Sequence, residues 1–189
     1  MTEAKAAASS MSSNRSIPSD TIEQLSRAAS CRSTISSTDR EQAVQGRYLP
    51  TFVMIGSSGD LIGFYAVNAH AIDYAELPER FARNRPSHGR IPAAYLAMIG
   101  IDYRSQGRGY GGDLLVDGLT RLAHAADALS IAVVLLDILD CGDSDKVAKR
   151  RTLYAGYGFA PLVSNPLRLF LPMATVRQLL VERDAGANE

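Results

Sequence analysis

The sequence predicts an α/β domain on a mixed sheet: an antiparallel strand pair, then a strand, helix, strand unit, then a further helix and a closing strand. Three observations predict it. Two β-rich runs, RYLPTFVMIG (47–56) and LIGFYAVNA (61–69), flank SSGD, whose small and polar residues suit a hairpin turn. The continuously apolar run AAYLAMIGI (93–101) and the run IAVVLLDIL (131–139) have the character of buried strands. Between them Leu115, Leu119, Leu122 and Ala126 recur at helical spacing, the stripe of an amphipathic helix.

Taken in order, residues 1–20 are rich in Ser and Ala, lack the apolar segment of a secretory signal, and read as a flexible tail before a single domain over 21–189. Ile22, Leu25 and Ala29 mark a short amphipathic piece, followed by a Ser/Thr cluster at 30–40. The stretch YAELPERFARNRPSHGRIP holds three prolines and is expected to be a loop with at most a short helix around 76–83. On the helix after the glycines, Asp117 and Arg121 are expected to pair across the wet side. SDKVAKRRTLYAGYGF (144–159) reads as the next helix, capped by Asp143 or Ser144 and ended near Gly156 or Gly158, and PLRLFLPM (166–173) as the last strand.

Composition narrows the function. With 46% hydrophobic and 21% charged residues, and no apolar run near the roughly 20 residues a membrane helix needs, the 189-residue chain reads as a soluble protein with no membrane partner. Lys plus Arg equals Asp plus Glu at 20 each, so nothing global draws the chain to nucleic acid, and any such binding is local. Cys31 and Cys141 are read as free thiols in a reducing, cytoplasmic setting. His70, His88 and His124 are scattered and form no metal spacing, so no metal is expected.

The segment DYRSQGRGYGGDLL (102–115) puts four glycines into six positions ahead of the amphipathic helix. Glycine permits positive φ and close backbone approach, while a helix N-terminus offers unpaired N–H groups and the positive end of the dipole, so a phosphate is the natural guest. Gly107, Gly109 and Gly112 also spell the G-x-G-x-x-G of a dinucleotide site, with Asp137 as ribose ligand, but DYRSQ intervenes after the strand and too few buried strands follow. A surface turn without ligand is the third alternative.

LAMIGIDYRSQGRGYGGDLL resembles the acyl-CoA-binding motif of the GNAT acyltransferase superfamily, with R-x-x-G-x-G realised as Arg104, Gly107 and Gly109. LYAGYGFAPL is similar to that family's second signature on its last helix, with Leu153 in place of the first aromatic residue. The resemblance covers about residues 47–173. It implies a GNAT-type mixed, mostly antiparallel sheet with a splayed central parallel strand pair and flanking helices, acetyl-CoA lying in the splay. Backbone N–H groups around Ile99 and Ile101 would then hold the thioester carbonyl. Arg104, Gln106, Gly107, Arg108, Gly109 and Gly111 would hold the pyrophosphate.

Acetyl transfer to an amine by direct attack in a ternary complex needs a neutral amine, donors for the oxyanion and a proton for the departing thiolate. The family comparison points to Tyr154 as that proton donor, a phenol being protonated at neutral pH; packing of one helix face is the alternative role for Tyr154 and the expected one for Tyr157. No acidic residue lies within AAYLAMIGI to act as base, Asp102 stands at its end, and Asp73 and Glu76 are the remaining candidates, so water is the expected route. An α-amine, with a pKa of about 7.7–8.0 against about 10.4 for lysine, needs little help. Cys141, among three aspartates, is expected to be structural rather than an acyl nucleophile.

One GNAT branch, the toxins that acetylate the α-amine of aminoacyl-tRNA, is resembled more widely, at AELPERFARNRPSHGRIP, QGRGYGG and NPLRLFLPMATVRQLL. The chain departs from it in its N-terminal region, at Met98 where an arginine is common, and in the longer CGDSDKVAKRR. This likeness implies tRNA and a small antitoxin as partners, and admits a homodimer. The basic runs Arg80, Arg83, Arg85, Arg90 and Lys146, Lys149, Arg150, Arg151 would then face phosphates. The alternatives are a small-molecule or protein amine acetyltransferase and a non-catalytic CoA-binding regulatory module.

Overall fold

The computed structural model describes residues 50–79 and 89–186. The elements are β1 (Thr51–Ile55), β2 (Leu61–Asp73), β3 (Arg90–Ile101), α1 (Tyr110–Leu129), β4 (Val133–Asp137), α2 (Ser144–Gly156), β5 (Ala160–Pro161), β6 (Arg168–Pro172) and α3 (Met173–Gly186), the expected order with β5 and α3 added. The described strands form one sheet in the order β1-β2-β3-β4-β6-β5, with β3 and β4 parallel and the β1–β2, β4–β6 and β5–β6 pairs antiparallel. Two compact units share these elements. One holds the described residues up to Asn68 with Ala97–Gly118, the other Ala69–Leu96 with the residues from Leu119 onward.

In the first unit the β1–β2 hairpin closes as expected, the Gly56 and Gly59 amides bonding Asp60 and Gly56 carbonyls across SSGD. Leu61 and Phe64 form a small core on which Val53, Ile55 and Met98 pack, so Met98 serves as an apolar contact. Gly63 marks a close approach. A Cβ there would lie 2.6 Å from the Gly100 carbonyl oxygen and 2.7–2.8 Å from Ile101 and Leu114 side chains, closer than real side chains pack. Gly63→Ala is therefore expected to cost about 1–3 kcal/mol, read as a fall of several degrees in the thermal midpoint. An unchanged midpoint would show that the end of β3 can yield.

The second unit holds the parallel ladder, Ala93↔Val133 to Leu96↔Leu136, and β6 lies antiparallel on the other side of β4, Phe170 opposite Leu135. Ile72, Ala93, Val133, Leu135 and Phe170 belong to one buried cluster on this part of the sheet. On α1 the periodic stripe is buried as expected, Leu115, Leu119, Leu122 and Ala126 being 0%, 2%, 6% and 2% exposed.

Several expectations are corrected. The run 131–139 yields a strand only at Val133–Asp137, because the Ile131 amide turns back to the Ala126 carbonyl at the end of α1. Tyr74–Glu76 form a 3-10 turn, and the span 76–83, where at most a short helix was expected, runs into residues 80–88, which like the tail and the 20–29 piece lie outside the described residues. Asp117 is half-buried on α1 and also accepts a hydrogen bond from the Tyr65 hydroxyl. Helix α3, which hydrophobic periodicity did not announce, follows Pro172 and is fixed by the buried Met173 and Val176. Cys141 is disulfide-bonded rather than a free thiol.

Candidate active site

The glycine loop is built by local bonds. The Asp102 amide donates to the Ile62 carbonyl at 2.8 Å, and its carboxylate caps the 3-10 turn Tyr103–Ser105 by accepting from the Arg104 amide at 2.9 Å and Arg104 Nε at 3.0 Å. Asp102 is buried, and the Arg104 hydrogen bond holds its carboxyl below the usual carboxylate range despite the opposing effect of burial. Bonded to Arg104 and with its carboxyl lowered, Asp102 fastens the loop and is a poor base. Arg104 remains exposed and lies over the Tyr103 ring at 5.7 Å. Gln106 folds back to donate to the Ile101 carbonyl at 3.1 Å.

The next residues need glycine. Gly107 and Gly109 have φ of +79° and +89°, a region side chains other than glycine rarely adopt, and no atom lies within 4 Å of where either Cβ would be. The chain then enters α1 at Tyr110. The Gly112 and Asp113 amides already bond to the Gly109 carbonyl, at 2.9 and 3.4 Å, whereas the amides just ahead of them stand at the unpaired end of the helix. Arg108 is exposed, Gly111 half-buried, and residues 97–101 of β3, including Ile99 and Ile101, are half-buried although apolar. The arrangement presents open backbone, a helix dipole and two arginines, the chemistry of an anion cradle.

Tyr154 lies on α2 in the second unit. Asp143 caps that helix by accepting from the Lys146 amide at 3.1 Å, and it ends through Gly158 (φ +83°), whose amide returns to the Ala155 carbonyl. Tyr154 is 6% exposed, with its ring edge against Phe159 at 6.0 Å between centroids. Burial pushes its phenol above the ordinary tyrosine value, with Arg150 acting in the opposite direction. Among the described residues its hydroxyl makes no hydrogen bond. Tyr157 is half-buried at the helix end.

The candidate bases have other duties. Asp73 is exposed and caps the Tyr74–Glu76 turn through the Ala75 amide at 2.9 Å; Glu76 accepts from the Ser164 hydroxyl at 3.1 Å. Asp137, the ribose ligand of the dinucleotide alternative, is gripped by Arg168 at 2.7 and 2.8 Å and by the Tyr95 hydroxyl at 2.9 Å. Burial works to raise the Asp137 carboxyl, yet the Arg168 and Tyr95 bonds keep it below its ordinary value; burial and Asp137 together push Tyr95 up to about 12. Sequence reasoning missed this group, whose members come from three strands and are adjacent only through the sheet register. His70 packs against Tyr95 at 5.6 Å, His124 is exposed, and among the described residues no cluster of His, Cys, Asp or Glu could hold a metal. Arg80, Arg83, Arg85 and His88, like Cys31, lie outside the described residues.

No protein-family model matches the chain. It is 59% identical over 133 residues to the "Probable toxin TacT" of Sinorhizobium fredii, a match covering 70% of this chain and 74% of that protein. It is 31% identical over 122 residues to the "tRNA-acetylating toxin" of Mycobacterium tuberculosis, covering 65% and 68%. The fold matches that of AtaT, solved in complex with acetyl-methionyl-tRNAfMet, with a TM-score of 0.72 over 90% of this chain and 98% of the other, at 19% identity. With glycine loop, sheet and relatives in agreement, the chain belongs to the acetyl-CoA-dependent N-acetyltransferase toxins of the GNAT superfamily.

Proposed function

We propose that this chain acetylates the α-amine of aminoacyl-tRNA. The observation that carries the reading is the loop of Gly107 and Gly109, which delivers open, positive-φ backbone to the N-terminus of a 20-residue helix. Such a site suits the pyrophosphate of acetyl-CoA, with the Gly109 to Gly111 amides as donors and Arg104 and Arg108 as neighbouring charge. Backbone groups near Ile99 and Ile101 take the thioester carbonyl, and Tyr154 protonates the departing thiolate. Asp102, Asp73 and Glu76 are each committed elsewhere, so the acceptor arrives with its amine already neutral or loses its proton to water; an α-amine meets that demand far better than lysine. No metal enters the scheme. A cytoplasmic setting, a small antitoxin partner and a homodimer belong to the same reading.

The test is acetyl transfer from labelled acetyl-CoA to aminoacylated tRNA, to amino acid amides and to polyamines, at two salt concentrations. Transfer to tRNA is expected and should fall steeply with salt, because each phosphate that meets a cation releases counterions. Replacing Arg83 and Arg85, or the exposed Lys149 and Arg151 of α2, with alanine should reduce the slope by about one for each phosphate that is no longer neutralised. Turnover of small amines alone would assign the chain to metabolic or detoxifying acetylation and leave these cations as solvated surface. Binding of acetyl-CoA with no acceptor turned over would instead leave a CoA-binding regulatory module.

A further inference from the structure

Helix α2 turns a single stripe inward. Val147, Arg150, Tyr154 and Tyr157 are its buried or half-buried members, while Lys146, Lys149 and Arg151 are exposed. An arginine in that stripe is partly withdrawn from water, and a nearby carboxylate is its usual partner. Among the described residues Arg150 has no carboxylate partner: Nη1 donates to the Leu139 carbonyl at 2.8 Å and lies 3.6 Å from the Cys141 sulfur. The carbonyl fixes the guanidinium without cancelling its charge. Tyr154 follows one turn later on the same face.

We propose that Arg150 is a positioning residue that acts through Tyr154, its uncancelled charge strengthening the phenol as proton donor to the departing thiolate. The inference rests on Tyr154 being the acid. As the amine nitrogen bonds to the acetyl carbon and the C–S bond breaks, the bonding pair passes to sulfur, which takes the phenol proton. The tyrosinate left behind is stabilised by the neighbouring cation. It regains a proton through water, which also receives the one shed by the amine. Burial alone makes the phenol a weaker acid, and among the described residues Arg150 is the charged group whose field opposes this. Lys149 and Arg151 extend toward solvent and cannot substitute.

The test uses the full chain with labelled acetyl-CoA and whichever acceptor it turns over. Arg150→Gln keeps a donor for the Leu139 carbonyl while removing the charge, and Arg150→Lys keeps the charge. Arg150→Gln is expected to lower kcat about tenfold, the effect of about one pKa unit in the acid, with KM for acetyl-CoA and the thermal midpoint unchanged. Arg150→Lys should recover most of the rate. In a Tyr154→Phe background, Arg150→Gln should cause no further loss, because the two residues act as one unit. Full activity of Arg150→Gln, or the same loss in both backgrounds, overturns the proposal and leaves Arg150 a fastener of the β4–α2 connection. Undiminished turnover of Tyr154→Phe alone would instead remove the underlying assignment of the acid.

Discussion

Tyr154→Phe is expected to keep the fold and the affinity for acetyl-CoA while lowering turnover by about 10²- to 10⁴-fold, the usual contribution of a positioned acid. The substitution removes one oxygen from a ring that is otherwise buried against Phe159, and that oxygen has no hydrogen-bond partner among the described residues. Its loss therefore leaves no orphaned donor or acceptor, and the thermal midpoint should move little. The chemistry responds differently. A free thiolate is a poor leaving group beside a neutral amine, and the buried phenol, raised above its ordinary pKa, still carries its proton at neutral pH. The loss should fall on kcat with KM for acetyl-CoA unchanged, the signature of an interaction made in the transition state. Tyr157→Phe serves as the comparison, being half-buried at the C-terminal end of the same helix. Equal losses at both positions would show that packing of this helix face, not proton donation, governs the rate.

What could be read without coordinates was what repeats or what is chemically unusual over a short span. The α1 stripe, the hairpin at SSGD, the Asp143 cap and the glycine loop each announce themselves within one or two turns of chain, where spacing alone determines geometry. Tyr154 was singled out because a second short motif accompanies it. What escaped depends on register between distant segments. Asp137 meets Tyr95 and Arg168, which are 42 and 31 residues away, only because β3, β4 and β6 align them, and no local pattern distinguishes that carboxylate from a solvated one. Gly63 reads as an ordinary strand residue until the Gly100 carbonyl is found against it. Arg150 looked like one member of a basic run. The helix phase that separates it from Lys149 and Arg151 could have been drawn from the sequence, but the missing counter-ion could not. Helix α3 escaped because its buried residues, Met173 and Val176, are too few to set a period.

Gly109→Asp is expected to abolish the stabilisation of the protein by acetyl-CoA. In the parent protein a ligand that binds only the folded state raises stability by mass action, about 2.7 kcal/mol at a hundred times Kd, and a thermal midpoint measured with and without acetyl-CoA reads this directly. At Gly109 the substitution acts twice: a side chain is forced into φ +89°, and a carboxylate is placed beside the helix N-terminus, where it would compete with a pyrophosphate for the same amides and repel it. The absence of any atom within 4 Å of the Cβ position means that steric overlap contributes nothing. Two controls separate the remaining effects. Gly109→Ala carries the backbone strain without the charge and should retain part of the ligand response. Gly89→Asp, at the opposite end of β3 with φ +72° and equally open space, carries comparable strain and the same charge away from the loop. It should lower the midpoint of the unliganded protein yet leave the acetyl-CoA shift intact. If Gly109→Asp were stabilised by acetyl-CoA as fully as the parent, the pyrophosphate would not be held at this loop, and the half-buried glycines at the start of α1 would have to be explained as a turn alone.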